Sequence, residues 1–434
     1  MTYPRSRKGT ADDRGKVLRW PEQTFPEGSE PRRWLAQLTR LVPGVVTGAA
    51  NVDPSLVVTA TVAGAAFRYS LLWVVILCVP LLETIFGVSA RLGYETRQGL
   101  VDLLRENYGR GIAWLSAGLV ILINMAMIIA DLMAVSDALS VILGHPRIYF
   151  VAAVAFTIWY VLIFRDYRKI TNALLWLSLP LFIYVAAAFY ATPNLGEVVH
   201  RTFLPRVFAT PSYAAAVVGI FGSLLTPYVL VWQTSSRREQ AISGGERPHG
   251  LESHAGTLVT TVLSFSVMVA AGSVLHLTSP LDMTSRQAAL ALEPVAGAWG
   301  PIVFSLGILG AGMVALPVLV ASLCYSVSES MGWKAGLSEN PWDAKAFYVL
   351  ISLAVLIAAL GNFVHINPVR ALYWSQILAG LLTVPILIFI LLLSNDRRVM
   401  RTTNTQYQNF WIGAAIGLLV AIAGLWAWWS VAPK

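Results

Sequence analysis

Apolar runs of about 20 residues recur from residue 41 to residue 430, each long enough to cross the hydrocarbon core of a bilayer as one helix. In lipid every backbone N–H and C=O needs an internal partner, so chain-spanning segments of this length are helices. Only 12% of the residues are charged, against about a quarter in ordinary soluble domains. A large soluble all-α protein is disfavoured, because residues 411–431 and 349–363 have almost no polar face to offer water. The chain is read as an all-α polytopic membrane protein.

Eleven helices are expected, at roughly 41–67, 69–92, 111–142, 148–165, 172–191, 213–236, 256–277, 300–330, 346–364, 370–393 and 410–430. Residues 1–40 are hydrophilic, Pro-rich and basic, with no apolar core of a signal peptide, and are expected to form a cytoplasmic tail. Residues 41–430 make the transmembrane domain. Cys78 and Cys324 both fall inside spans, so no structural disulfide is expected.

The net charge of +8 is a matter of topology. With the N-terminus inside, 24 of the 31 Lys and Arg lie on the cytoplasmic side and 7 on the other. This bias predicts N-terminus in and C-terminus out. Arg165, Arg168, Lys169, Arg237, Arg238, Arg397 and Arg398 are read as loop anchors near anionic headgroups. The expected partners are therefore a lipid bilayer and a transported solute, with no nucleic acid.

Two interruptions carry the functional information. Asp53-Pro54-Ser55 and Thr226-Pro227-Tyr228 each lie near the middle of an apolar span. An ionisable side chain at that depth is costly and marks a functional site by default. The adjoining Pro removes a backbone hydrogen bond and frees carbonyls that a cavity or a bound ion must satisfy. A shift of 173 positions carries Asp53 onto Thr226 and Pro54 onto Pro227. Five spans from the first break precede the sixth, which carries the second, and an odd number per repeat forces opposite orientations. The pattern predicts a LeuT-type 5+5 inverted repeat plus an eleventh helix, with helices 1 and 6 broken at the midplane.

The breaks offer hard oxygen donors: the Asp53 carboxylate, the Thr226 hydroxyl, and freed carbonyls around Ser223 and Ala50. Such donors suit Mg²⁺, Mn²⁺ or Ca²⁺, whereas sulfur or imidazole sets suit zinc, iron or copper. A single carboxylate fits an ion that keeps part of its water shell, as Mg²⁺ tends to. The bland alternatives are a neutral or polar-paired Asp53, and a Thr226 that only bonds its own backbone.

Gln376 is read either as lining the cavity or as helix-to-helix glue. Asp131 is a candidate relay or a partner for an Arg, while Asn124 and Glu83 are read as packing or ion-pair residues. No His occupies a midplane position. There is no Walker A loop, His-Glu-x-x-His motif or nucleophile elbow, so the chain is not read as an enzyme and no cofactor is expected.

At the breaks the sequence resembles the NRAMP family of divalent-metal transporters, in particular its divergent, magnesium-associated prokaryotic branch. The family's first helix carries Asp-Pro-Gly-Asn followed by Gly-Tyr-Ser-Leu-Leu-Trp. Here Asp53-Pro54-Ser55-Leu56 is followed by Arg68-Tyr69-Ser70-Leu71-Leu72-Trp73. The family's Met-Pro-His in helix six is Thr226-Pro227-Tyr228, with Gln233 in place of a second His. Ile366-Asn367-Pro368 through Tyr373-Trp374 resembles the same branch.

The resemblance implies import of a divalent cation by alternating access in a prokaryotic cytoplasmic membrane. By position, Asp53 matches the metal-binding Asp, Ser223 the residue whose carbonyl coordinates, and Gln376 the tenth-helix Gln. Leu56 stands where the family has a coordinating Asn, and Thr226 where it has a thioether. Losing the sulfur removes a preference for transition metals. Tyr228, Gln233 and Asp131 are candidate pathway or coupling residues, with proton coupling left open. Two other functions fit the same sequence: transport of a small organic solute, and a non-transporting NRAMP-like receptor or scaffold.

Overall fold

The computed structural model describes residues 51–164, 179–242, 250–275, 277, 280–337, 339–364 and 366–431. The expected tail, the first half of helix one with Ala50, and residues 165–178, which hold Arg165, Arg168, Lys169 and the start of the fifth span, lie outside the described residues. Among those described there is no strand. We number the principal helices α1 Pro54–Phe67, α2 Leu72–Thr96, α3 Leu100–Tyr108, α4 Arg110–Leu143, α5 Ile148–Phe164, α6 Ile183–Tyr190 and α7 Leu195–Phe203. They continue with α8 Pro211–Leu224, α9 Pro227–Ile242, α10 Gly250–Val274, α11 Gly300–Met331, α12 Lys345–Gly361, α13 Pro368–Asn395 and α14 Gln406–Val431.

The inverted repeat is visible in lengths and contacts. Helices α4 and α11, 34 and 32 residues long, occupy equivalent places in the two halves and make the most extensive helix contact in the molecule. Asn124 Nδ2 donates to the Leu319 carbonyl across that contact at 3.3 Å. The next pair, α5 and α12, are 17 residues each and also pack together, with Trp159 Nε1 donating to Ser352 Oγ at 2.9 Å. Likewise α1 packs on α10, and α9 on α2. The fold is the LeuT-type arrangement with one appended helix, α14.

The outward surfaces are apolar, as lipid contact requires. Phe156, Leu353, Val420 and Trp428 are all exposed, and α14 buries little of itself. Inside, helices meet through small residues and a few polar bonds, because lipid tails are as apolar as Leu and give no hydrophobic drive to association.

Three features depart from the expected spans. The sixth span ends later than residue 236, because α9 continues to Ile242. Arg, Glu and Gln are good helix formers, and their charges find partners there. Arg238 is thus not a headgroup anchor: it lies 3.4 Å from Asp102 and 3.5 Å from the fully buried Glu329. The other two departures are short amphipathic helices between spans. Helix α3 buries Leu100, Val101, Leu103 and Leu104, and α7 leaves the fifth span at a 110° bend. Glu83 forms an ion-pair contact with His254 at 3.1 Å, as its pairing role anticipates.

Candidate functional site

Residues 51–53 are non-helical, and α1 begins at Pro54 with Asp53 as its N-cap. Local chemistry dictates this start. Pro at the first helical position has no N–H to lose and a preset φ, and Asp accepts from the exposed amides of the first turn. Asp53 Oδ1 accepts the Leu56 N–H at 2.7 Å. The carboxylate is fully buried at the positive end of the α1 dipole.

The second break falls between α8 and α9, at Leu225 and Thr226. Pro227 has no N–H, so the carbonyl of Ser223, four residues earlier, loses its helical partner. Leu225 leaves helical geometry (φ −99°, ψ 51°), and its carbonyl lies 3.2 Å from the Thr383 hydroxyl of α13, which also reaches the Ala379 carbonyl of its own helix at 2.6 Å. A Ser322 hydroxyl from α11 caps the Tyr228 carbonyl at 3.0 Å. Neighbouring helices thus stabilise the opened turn with hydroxyls.

The two breaks meet. The Tyr228 hydroxyl donates to Asp53 Oδ2 at 3.4 Å, and the Thr226 hydroxyl donates to Asn51 Oδ1 at 3.3 Å. Behind Asp53, the Ser55 hydroxyl donates to Asp131 Oδ1 at 2.6 Å, while Asp131 Oδ2 is buried with no partner among the described residues. Asp131 is therefore a second buried acid beside the break, held by a hydroxyl.

Of the other expected residues, Ser223 keeps its hydroxyl on the Ile220 carbonyl, leaving its own carbonyl as the relevant donor. Gln376 is fully buried on α13, and neither amide atom has a partner among the described residues. It lies against the break, because a Cβ on Gly222 would fall 1.9 Å from the Gln376 carbonyl oxygen. Only Gly permits that approach of α8 to α13. Gln233 is not part of the cluster: it lies seven residues along α9 from Thr226, about 10 Å at the helical rise. Ala50 lies outside the described residues.

The sequence reading missed Asn51 and Ser55. Both flank Asp53 in the chain, and a polar residue either side of a midplane Asp was the available signal. Among the described residues no group of three or more His, Cys, Asp or Glu is placed to hold a metal. What the site offers is a mixed oxygen set: carboxylate, carboxamide, hydroxyl and freed carbonyl.

The family model described as Natural resistance-associated macrophage protein-like (Nramp) matches residues 44–430. The chain belongs to the Nramp family. Among curated Nramp-like relatives, the metal transporter NRAT1 of Oryza sativa subsp. japonica is 26% identical over 309 residues, 64% of this chain and 54% of that protein. The chain thus spans about half the length of that relative. Among solved structures, the manganese transporter of Eremococcus coleocola, in complex with an aromatic bis-isothiourea compound, superposes with a TM-score of 0.66 at 16% identity. That match covers 94% of this chain and 96% of the other. MhsT in complex with L-phenylalanine follows at a TM-score of 0.57 and 13% identity, over 89% and 98% of the two chains. The fold seen here is thus shared with both proteins.

Proposed function

We propose that this Nramp-family chain carries divalent metal cations across a membrane by alternating access, with Mg²⁺ or Mn²⁺ as cargo. Asp53 is the charged ligand, joined by the Thr226 hydroxyl, the carbonyls of Ser223 and Ala50, and the Gln376 amide. The observation that carries the reading is the meeting of Asp53 and Tyr228. It puts a fully buried carboxylate of one unwound segment against the other unwound segment. A carboxylate there, fixed by a helix N-terminus and faced by neutral oxygens, is complementary to a small hard cation.

The rice relative is a metal transporter and the Eremococcus protein a manganese transporter, in agreement with this cargo. The oxygen set extends it to Mg²⁺, since among the described residues none at the break supplies sulfur or imidazole. Asp131, second in line behind Asp53, is the residue placed to relay a proton or to tune the charge of the site. The resemblance to the prokaryotic branch and the Lys/Arg bias support a prokaryotic cytoplasmic membrane with the N-terminus inside.

The test is uptake of Mg²⁺ and Mn²⁺ into proteoliposomes at several pH gradients. Wild-type protein is expected to move at least one of the two ions, and Asp53→Ala to abolish uptake while retaining its melting temperature. Uptake unchanged by Asp53→Ala overturns the reading.

A further inference from the structure

Asn51 belongs to neither helix, and its side chain is 1% exposed. It supplies the second side-chain bond between the two breaks, accepting the Thr226 hydroxyl on Oδ1 at 3.3 Å. Its Nδ2 is buried and has no partner among the described residues. A buried amide with an unmade bond is costly, so packing alone does not account for an Asn here.

The direction of that bond decides what Thr226 can do. A hydroxyl has one proton and two lone pairs, and only the lone pairs bind a cation. By taking that proton, Asn51 leaves the lone pairs of Thr226 free to face the space between the breaks. A carboxamide oxygen also has two lone pairs, so Oδ1 can hold Thr226 and still turn one toward a cation or its bound water. Both are hard neutral donors, which raise affinity for a dication without adding charge.

Resting on the cation-transport reading, we propose that Asn51 is a specificity-determining member of the site. It holds the Thr226 hydroxyl in its acceptor orientation and adds its own amide oxygen to the substrate's shell. The two residues act as a pair. Asn51 is thereby distinguished from a residue that merely packs the unwound turn.

The experiment is a double-mutant cycle on Mg²⁺ and Mn²⁺ uptake by the full chain in proteoliposomes, with Asn51→Ala, Thr226→Val, the double variant and Asn51→Asp. Asn51→Ala and Thr226→Val are each expected to raise KM about tenfold, more for Mg²⁺ than for Mn²⁺, with the double variant worse than either single but by less than the product of the two. Asn51→Asp keeps the acceptor for Thr226 and adds charge, so its KM is expected to fall. If Asn51→Ala does not fold, the Asn51→Asp and Thr226→Val arms decide.

Wild-type uptake combined with unchanged KM in both Asn51 variants overturns this proposal alone. So do single effects that multiply in the double variant, because independent losses mean a structural role. Wild-type protein that moves neither ion overturns the transport reading, and this proposal with it.

Discussion

The two oxygens of Asp53 are treated differently: Oδ1 is fixed by the Leu56 amide at 2.7 Å, while Oδ2 faces the Tyr228 hydroxyl at 3.4 Å. The first contact is short and made within α1. The second is long and crosses from one unwound segment to the other. Oδ2 is therefore the oxygen available to a substrate.

Tyr228→Phe tests that asymmetry. A neutral hydroxyl at 3.4 Å contributes little, about 0.5–1 kcal/mol. Uptake is expected to persist, with KM changed by less than about fivefold. A complete loss in a folded Tyr228→Phe variant would mean that the phenol itself binds the substrate.

Thr226→Met places a soft thioether at the second break. Relative uptake of Cd²⁺ or Fe²⁺ over Mg²⁺ is expected to rise, by about tenfold or more. An unaltered ion profile would remove Thr226 from the site.

Asp131→Asn keeps the shape and the Ser55 contact but deletes the second buried acid. Uptake at neutral pH is expected to survive within severalfold, and its response to a pH gradient to disappear. A wild-type response in the variant would exclude Asp131 from proton movement.

Arg238 neutralises Asp102 and Glu329 where α9 meets α3 and α11. Glu329 also accepts the Ser235 hydroxyl at 2.9 Å and the Val101 N–H at 3.2 Å, and a Cβ on Gly99 would collide with its carboxylate. Arg238→Ala is expected to cost on the order of 2 kcal/mol, less than a fully buried pair because the contacts are long. Burial holds the Asp102 carboxyl above its usual value, against the pull of Arg105 and Arg238. A carboxyl raised on folding favours the native state at low pH and loses that contribution as pH rises through its folded value. The Tm deficit of Arg238→Ala should therefore widen with rising pH, and a deficit that shrinks would contradict the assignment.

The breaks were legible in the sequence because Pro and Asp act locally. A missing N–H and a midplane charge mean the same thing in any tertiary setting. Spans as long as α4 and α11 were equally legible, since their apolar length admits no other fold. Helices α3 and α7 were not, because nine amphipathic residues fall below the length that announces a span. The Arg238 cluster and the Asn51–Thr226 bond were hidden for another reason. Their partners lie 91, 136 and 175 residues away, and only the packing of the two repeats brings them together.

Direct titration of purified protein with Mn²⁺ and Mg²⁺, wild type against Asp53→Asn, tests the central claim with no transport step intervening. The account predicts saturable one-site binding to the wild type, and none to an Asp53→Asn variant that melts at the same temperature. Equal binding to both proteins would contradict it.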